Sequence, residues 1–314
     1  MAHASLGPGL DGILIVDKPI GPTSHDVVGL VRRLAATRRV GHGGTLDPFA
    51  SGVLPVFLGK GTRVVEFHMA DQKAYRATVC FGASSATDDI EGEMTVAQGA
   101  APGRAAVEAA LPGFIGTVRQ RPPAYSAIKV AGRRAYAMAR AGETVELAER
   151  EVTIVAVDLV SWDDSDAQRP IAILDVTCGA GTYMRALARD LGERLGNAAY
   201  LGAHRRTAAG PFTESAAISL DAVRAAAADG PEGLVPLLRP LDDGLDRFPV
   251  VSLTAAEVAA VARGQFVRPG SGFTAGAERY RLFTPGGVLA AIATDAGTGR
   301  LAPDKVLVSA EADA

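Results

Sequence analysis

Residues 41–55 read Gly-His-Gly-Gly-Thr-Leu-Asp-Pro-Phe-Ala-Ser-Gly-Val-Leu-Pro. No helix survives Gly41, Gly43, Gly44 and Pro48 at that spacing, and no unbroken strand crosses them, so a tight, shaped loop is imposed at this point of the chain. Apolar Leu46, Phe49, Val53 and Leu54 flank the loop and pull it against a core. Its one carboxylate, Asp47, is therefore expected to be partly desolvated and rigidly aimed, which is how a chain presents a nucleophile or a general acid/base. On these residues alone a second reading stays open, an Asx-turn whose carboxylate only caps the loop.

The segments around the loop define an α+β chain. Gly12–Asp17 predicts a short buried strand, and residues 18–23, Lys-Pro-Ile-Gly-Pro-Thr, a stiff turn. Ser24 is the predicted N-cap of a helix reaching about Thr37, with Val27, Val28, Leu30, Val31 and Leu34 on its apolar side. Residues 73–82 alternate, so Tyr75, Ala77, Val79 and Phe81 share one face of a strand. Tyr75 is then either a core tyrosine or an aromatic platform at the rim of a cleft. Residues 87–89, Thr-Asp-Asp, predict a polar turn. Helices are expected near 104–111 and 133–141, and strands at 151–160 and 170–178.

After Gly179 and Gly181, Thr182 is expected to cap a helix reaching about Leu195. Arg185 falls in its first turn, where a cation opposes the positive end of the helix dipole, and a nearby carboxylate would resolve the conflict. Past residue 212 the chain reads as connecting helices and loops. A compact unit begins near Phe248, with a Thr254/Glu257 capping box, a helix closed by Gly264, and short β runs at 280–284, 288–294 and 305–309. The expected division is a disordered 1–10, a large domain over 11–245 and a small one over 246–310.

Several function classes are excluded by inspection. Gly59-Lys60-Gly61-Thr62 lacks the upstream glycine and the Ser/Thr after lysine that a P-loop needs, and the 179–181 glycines lack the third glycine of a dinucleotide fingerprint. The five histidines and two cysteines show no zinc-ligand spacing, and no metal is expected. No apolar run approaches the ~18 residues of a membrane span, and the N-terminus shows no secretory pattern. Cys80 and Cys178 lie in apolar runs and read as buried thiols of a cytoplasmic protein. The net charge is −3, but from Arg119 to Arg140 there are six basic residues and no acid. Such a patch either holds phosphates or forms a solvated face.

Five blocks, in this order, resemble the TruB family of bacterial tRNA pseudouridine-55 synthases: Val16-Asp17-Lys18-Pro19 with Gly21-Pro22-Thr23-Ser24; residues 41–48; Lys73-Ala74-Tyr75; residues 121–129, Arg-Pro-Pro-Ala-Tyr-Ser-Ala-Ile-Lys; and Gly181-Thr182-Tyr183-Met184-Arg185. The resemblance runs from about Gly12 to Phe212. It implies a mixed, mostly antiparallel sheet with flanking helices, followed by a PUA-like RNA-binding module. It also implies a monomeric enzyme that isomerises a T-loop uridine of tRNA without metal or organic cofactor. Asp47 falls on the family's catalytic aspartate, Tyr75 on the aromatic that stacks on the extruded uracil, Tyr183 on a tyrosine beside the base, and Arg185 on the arginine that pairs with the aspartate. A bidentate pair would hold Asp47 ionised and lower its pKa. His42 falls on a histidine that fills the space the base leaves. With Lys18, Arg63, Lys129, Arg133, Arg134, His204, Arg205 and Arg206 it makes up the expected RNA-binding set, and residues 119–140 are expected to form a basic flap.

One position departs from the pattern. His204 stands where the family usually has a leucine lining the uracil pocket, so a more polar wall is expected there. Three competing readings remain at this stage: a catalytically silent tRNA-binding module, a guide-RNA-dependent relative, and an unrelated carboxylate hydrolase. The first is disfavoured by Asp47, Tyr75 and Arg185 occurring together, the second by the lack of long basic tails. The third lacks a second carboxylate in a comparable loop.

Overall fold

A computed structural model describes residues 9–309 apart from 127, 131, 136–137, 139–140, 142, 144–146, 270–272 and 274–275. Leu10, in the stretch expected to be disordered, packs against a buried apolar cluster, and Arg133–Arg134 form a short strand paired with Lys129–Val130 where a helix was expected to start. Residues 1–8 and residues 136, 137, 139 and 140 of that expected helix lie outside the described residues. So do the side chains of Lys129 and Arg134.

The main body is a ten-stranded mixed sheet. β1 (Gly12–Lys18), β2 (Val40–His42), β3 (Ser51–Leu58) and β4 (Lys73–Phe81) come from the first quarter of the chain. β1 and β2 both pair antiparallel with β3. The long strand Ala199–Ala209 lies between β3 and β4, parallel to the first and antiparallel to the second. Beyond β4 the strands Ile171–Cys178, Arg150–Asp163 and Gly116–Gln120 continue antiparallel to the sheet edge.

β1 is a run of apolar residues because both its faces are covered. Leu14 and Val16 face a cluster with Val27, Val28 and Val31 of α1 (Ser24–Leu34). Ile13 and Ile15 face the opposite layer, with Phe57, Phe67, Phe212, Leu245 and Phe248. Each buried aliphatic side chain gives about 1.5–3 kcal/mol, before the entropy of ordering the chain is set against it. The other half of the sheet is covered by the helix Met184–Arg194, whose Leu187 and Leu191 pack with Phe81, Leu174 and Leu201. Tyr75 packs on both this cluster and the α1 cluster. It therefore marks the seam between the two halves of the sheet, where β3 meets the strand Ala199–Ala209.

α1 is capped by Thr23, not Ser24, and ends at Leu34 rather than Thr37. Asp26 stands three residues after Thr23, so a reciprocal capping box forms there. That leaves Ser24 buried and available for another task. The helix Met184–Arg194 likewise begins one residue later than expected, with Tyr183 at the cap; the Thr182 hydroxyl donates to the Gly179 carbonyl instead.

The C-terminal unit holds a four-stranded sheet, with strands Val250–Ser252, Tyr280–Phe283, Leu289–Asp295 and Leu301–Val306. Its helix Ala255–Ala262 carries the expected Thr254/Glu257 capping box. The last strand starts at Leu301, earlier than the Lys305 expected. Its Pro303 sits within the strand, a residue that weakens a strand reading of the sequence. Leu289, Ile292 and Leu307 belong to the same apolar cluster as Ile13, Phe57 and Phe248, so the small sheet packs directly on the back of the large one.

Candidate active site

The loop between β2 and β3 is held from three sides. Ser24 Oγ accepts from the Leu46 amide at 2.8 Å and donates to the Leu46 carbonyl at 3.1 Å. Lys18, at the end of β1 and fully buried, donates to the carbonyls of Pro19 (2.9 Å), Pro22 (2.8 Å) and Pro48 (3.4 Å). Arg206, 1% exposed, donates through Nε to the Val53 carbonyl at 2.7 Å and through Nη2 to the Gly44 carbonyl at 3.1 Å. The Gly21 amide adds a bond to the Pro48 carbonyl at 2.8 Å. Two glycines permit this close approach. Gly44 has φ +120°, and at Gly52, φ +105°, a Cβ would lie 2.2 Å from the Arg206 carbonyl oxygen. Asp47 sits between these clamps, so its direction is fixed by backbone on both sides.

Arg185 Nη2 lies 3.1 Å from Asp47 Oδ2, and Arg185 Nη1 lies 3.2 Å from Asp89 Oδ2. Nη2 also donates to the Tyr125 carbonyl at 3.0 Å. The arginine thus bridges two carboxylates instead of forming the expected two-nitrogen fork with one of them. Its awkward place in the first turn of a helix is compensated by both acids. Asp89 was not expected from sequence, where the turn Thr87-Asp88-Asp89 looked merely polar. It is 2% exposed and also accepts from the Thr87 hydroxyl and the Glu91 amide. One turn along the same helix, Arg189 pairs with Asp88 at 2.8 Å. A signal was present in the sequence: two arginines four apart, on one helix face, need two acids.

Electrostatics follow from this packing. Burial raises the Asp47 pKa above its ordinary value; Arg185 and then Lys18 oppose the rise, and Asp89 adds to it. The expected lowering by arginine is present but loses to desolvation. Burial lowers the Lys18 ammonium to about 8, with Asp47 holding it up and Arg206 pushing it further down. Burial likewise raises the phenols of Tyr75 and Tyr183. A raised phenol is a poor base at neutral pH, which weighs against Tyr183 taking a sugar proton.

Asp47 and Arg185 are in contact, and Tyr75 and Tyr183 lie close enough for their phenols to feel the charge of Asp47. Tyr75 reaches the seam from β4. Tyr183 is fixed through its backbone, its amide donating to Gln120 Oε1 at 2.8 Å and its carbonyl accepting from Gln120 Nε2 at 3.1 Å. Asp47 keeps 35% of its side chain accessible, while Arg185 keeps 6%. The carboxylate is open to a substrate and its partner is not. His204 joins this group, its ring 5.1 Å from Phe49 and 5.9 Å from Tyr75. His42 is half-buried on β2, its pKa lowered by burial and by Arg206.

The other expected RNA contacts are placed differently. Lys18 and Arg206 are buried clamps of the loop. Arg205 pairs with Asp17 through both its Nη atoms, at 2.9 and 3.0 Å, and with Glu214. Arg63 donates to the Val306 carbonyl and so ties the large sheet to the small one. Arg133 is exposed and forks onto Glu143 at 2.7 and 3.0 Å. Arg119 and Arg121 both lie near Glu149, at 3.5 and 3.7 Å. The acid-free window from 119 to 140 is thus partly neutralised by acids that follow it and fold back.

Comparison with known proteins identifies the family of the chain. Residues 32–184 match the family model of TruB family pseudouridylate synthases (N terminal domain), and residues 185–246 match that of the tRNA pseudouridylate synthase B C-terminal domain. The chain is 44% identical over 300 residues to a protein named tRNA pseudouridine synthase B from Bradyrhizobium diazoefficiens, covering 94% of this chain and 85% of that one. It is 45% identical over 287 residues to one of the same name from Thermobifida fusca, covering 90% and 94%. Among solved structures, a Cbf5–Nop10–Gar1 complex contains a chain that superposes with a TM-score of 0.69 at 26% identity, over 95% of this chain and 85% of that one.

Proposed function

The chain belongs to the TruB family of pseudouridylate synthases, and we propose that it converts uridine 55 in the T-loop of tRNA to pseudouridine with Asp47 as the catalytic carboxylate. Uridine-to-pseudouridine isomerisation in tRNA is the activity that the relatives' names carry. The observation that supports Asp47 in particular is its contact with Arg185: an accessible carboxylate, 3.1 Å from a buried guanidinium, at the end of a clamped loop.

The chemistry needs three things from the protein. The target base must leave its stack, at a cost of a few kcal/mol. Tyr75 supplies an aromatic face at the seam, and stacking on such a face gives ~1–3 kcal/mol. The C1′–N1 bond must break and a C1′–C5 bond form, with the C5 proton lost and N1 protonated. Asp47 acts on the sugar or the base while ionised, and Arg185 with Lys18 keeps a useful ionised fraction against the desolvation that opposes it. Asp89 holds Arg185 in place, and Tyr183 packs beside the base. The enzyme acts as a cytoplasmic monomer without a metal ion, and the C-terminal unit from about residue 246 serves as a PUA-like module that adds RNA surface.

The deciding experiment maps which uridine changes when an unmodified tRNA transcript is incubated with the protein and a chelator. Conversion at position 55 alone, undiminished by chelation, is the expected result. Conversion elsewhere, or none, ends the positional reading, and loss on chelation ends the metal-free one.

A further inference from the structure

His204 occupies the wall of the site as a polar group in an apolar setting. It lies on the strand Ala199–Ala209 opposite Ala77 of β4, two residues before Arg206 and therefore on the same face. Its ring meets Phe49 edge-on at 5.1 Å, two residues from Asp47, and leans on Tyr75 at 5.9 Å. It thus bridges the loop that carries the carboxylate and the aromatic expected to carry the base. Only 9% of it is exposed, and Nδ1 is shut off from solvent without a hydrogen-bond partner among the described residues. Burial, together with the charges of Arg185, Arg206 and Lys18, pushes its pKa to about 3, so the imidazole is neutral at any working pH. A neutral imidazole has one donor and one acceptor nitrogen. An aliphatic side chain would fill the same wall without burying an unpaired nitrogen, which is unfavourable.

We propose that His204 is a base-contacting specificity residue, whose imidazole hydrogen-bonds the Watson–Crick edge of the pyrimidine turned into the site. The inference rests on the proposed pseudouridine synthase reading. In the free protein Nδ1 has no partner among the described residues; in the complex the ring turns so that one of its nitrogens exchanges a hydrogen bond with the imide or a carbonyl group of the base. The bond is then made only when the correct base is seated next to Tyr75, so it acts on the bound reaction more than on tRNA affinity.

The test compares wild type, His204→Leu and His204→Gln on an unmodified tRNA transcript by single-turnover rate, filter binding and thermal melting. His204→Leu should melt at or above the wild-type temperature, bind tRNA within about threefold, and react roughly 10- to 100-fold more slowly. His204→Gln, which keeps a donor and an acceptor, should recover part of the rate. A leucine variant reacting at the wild-type rate overturns the proposal. So does an equal loss in both variants that tracks a loss of melting temperature, because that marks a packing role. Failure of the underlying function would show instead in wild type, as absence of pseudouridine before any substitution is made.

Discussion

The loop around Asp47 and the segment from Arg119 to Arg140 are both surrounded by cations, and the fold treats the two sets in opposite ways. Around the loop, Lys18, Arg185 and Arg206 are buried, and their donors go to backbone carbonyls and to two carboxylates. In the segment, Arg119, Arg121 and Arg133 are exposed, and each lies near a glutamate from the chain just beyond. Exposed pairs of that kind contribute at most about 1 kcal/mol. Removing one partner of a buried pair costs about 3–5 kcal/mol, because the other charge is left in a poor solvent. A count of basic residues along the sequence points to the segment; burial points to the loop. The experiments that separate them fall in order of expected size.

The largest effect is expected at Asp47 itself. Asp47→Asn keeps the shape and any capping hydrogen bonds of the side chain but removes the charge. Turnover should fall by about 10³ or more, while tRNA binding stays within about threefold, since affinity is spread over phosphate and shape contacts. Filter binding set beside single-turnover rates checks this. Parallel loss of binding and rate would return Asp47 to the role of a loop cap.

Arg185 comes next. Burial already holds the Asp47 pKa above its ordinary value, and Arg185 is the largest opposing influence. Arg185→Met removes that opposition, so the pKa rises further and less of the carboxylate is ionised at pH 7. The variant should lose about 100-fold at pH 7, and its residual rate should climb with pH where the wild-type rate is flat. Arg185→Lys restores the charge but not the bridge to Asp89, so it should restore the pH profile more than the rate. A variant impaired by the same factor at every pH would mean that Arg185 acts on RNA or backbone, not on the ionisation of Asp47.

Ser24 tests the clamp without touching a charge. Ser24→Ala leaves the buried amide and carbonyl of Leu46 without their partner, which costs about 1–3 kcal/mol of stability. A several-fold loss of rate should accompany it as Asp47 loosens, and urea unfolding measures the first term. A change below about 0.5 kcal/mol would show that Lys18 and Arg206 hold the loop without it.

Ser24 also shows where sequence reasoning reaches and where it stops. The loop at 41–50, the alternation that brings Tyr75 to a face, and the Thr254/Glu257 box are local patterns, and each was legible because its cause lies within a few residues. The start of α1 was misread by one position, since Ser24 and Thr23 are both good caps and only Asp26, three residues after Thr23, separates them. Asp89 was not legible as a partner of Arg185. The two are 96 residues apart, and the sheet order that brings them together depends on the strand Ala199–Ala209 entering between β3 and β4. The division of labour among Lys18, Arg205 and Arg206 was hidden for the same reason: all three read as phosphate contacts until the fold supplied Asp17, Glu214 and the loop carbonyls as their partners.

The smallest effect is expected in the arginine-rich segment. A free arginine that neutralises one phosphate changes the log–log salt slope of binding by about 0.9 on a duplex and 0.7 on a single strand. Arg133 is not free, because both its Nη atoms already lie on Glu143. Contact with phosphate exchanges one carboxylate for another anion, and the net charge brought to the RNA is smaller than the sequence suggests. Arg133→Ala should therefore weaken tRNA binding less than twofold and change the slope by well under 0.7. Glu143→Gln gives the opposite arm: it releases Arg133 without moving the backbone, so binding should tighten and the slope steepen towards the value for one added phosphate contact. Titrations from about 50 to 200 mM salt resolve both. A full-sized loss of slope in Arg133→Ala, with no gain in Glu143→Gln, would show that the arginine leaves its glutamate at no cost when RNA arrives, and that the segment binds phosphate as its sequence first implied.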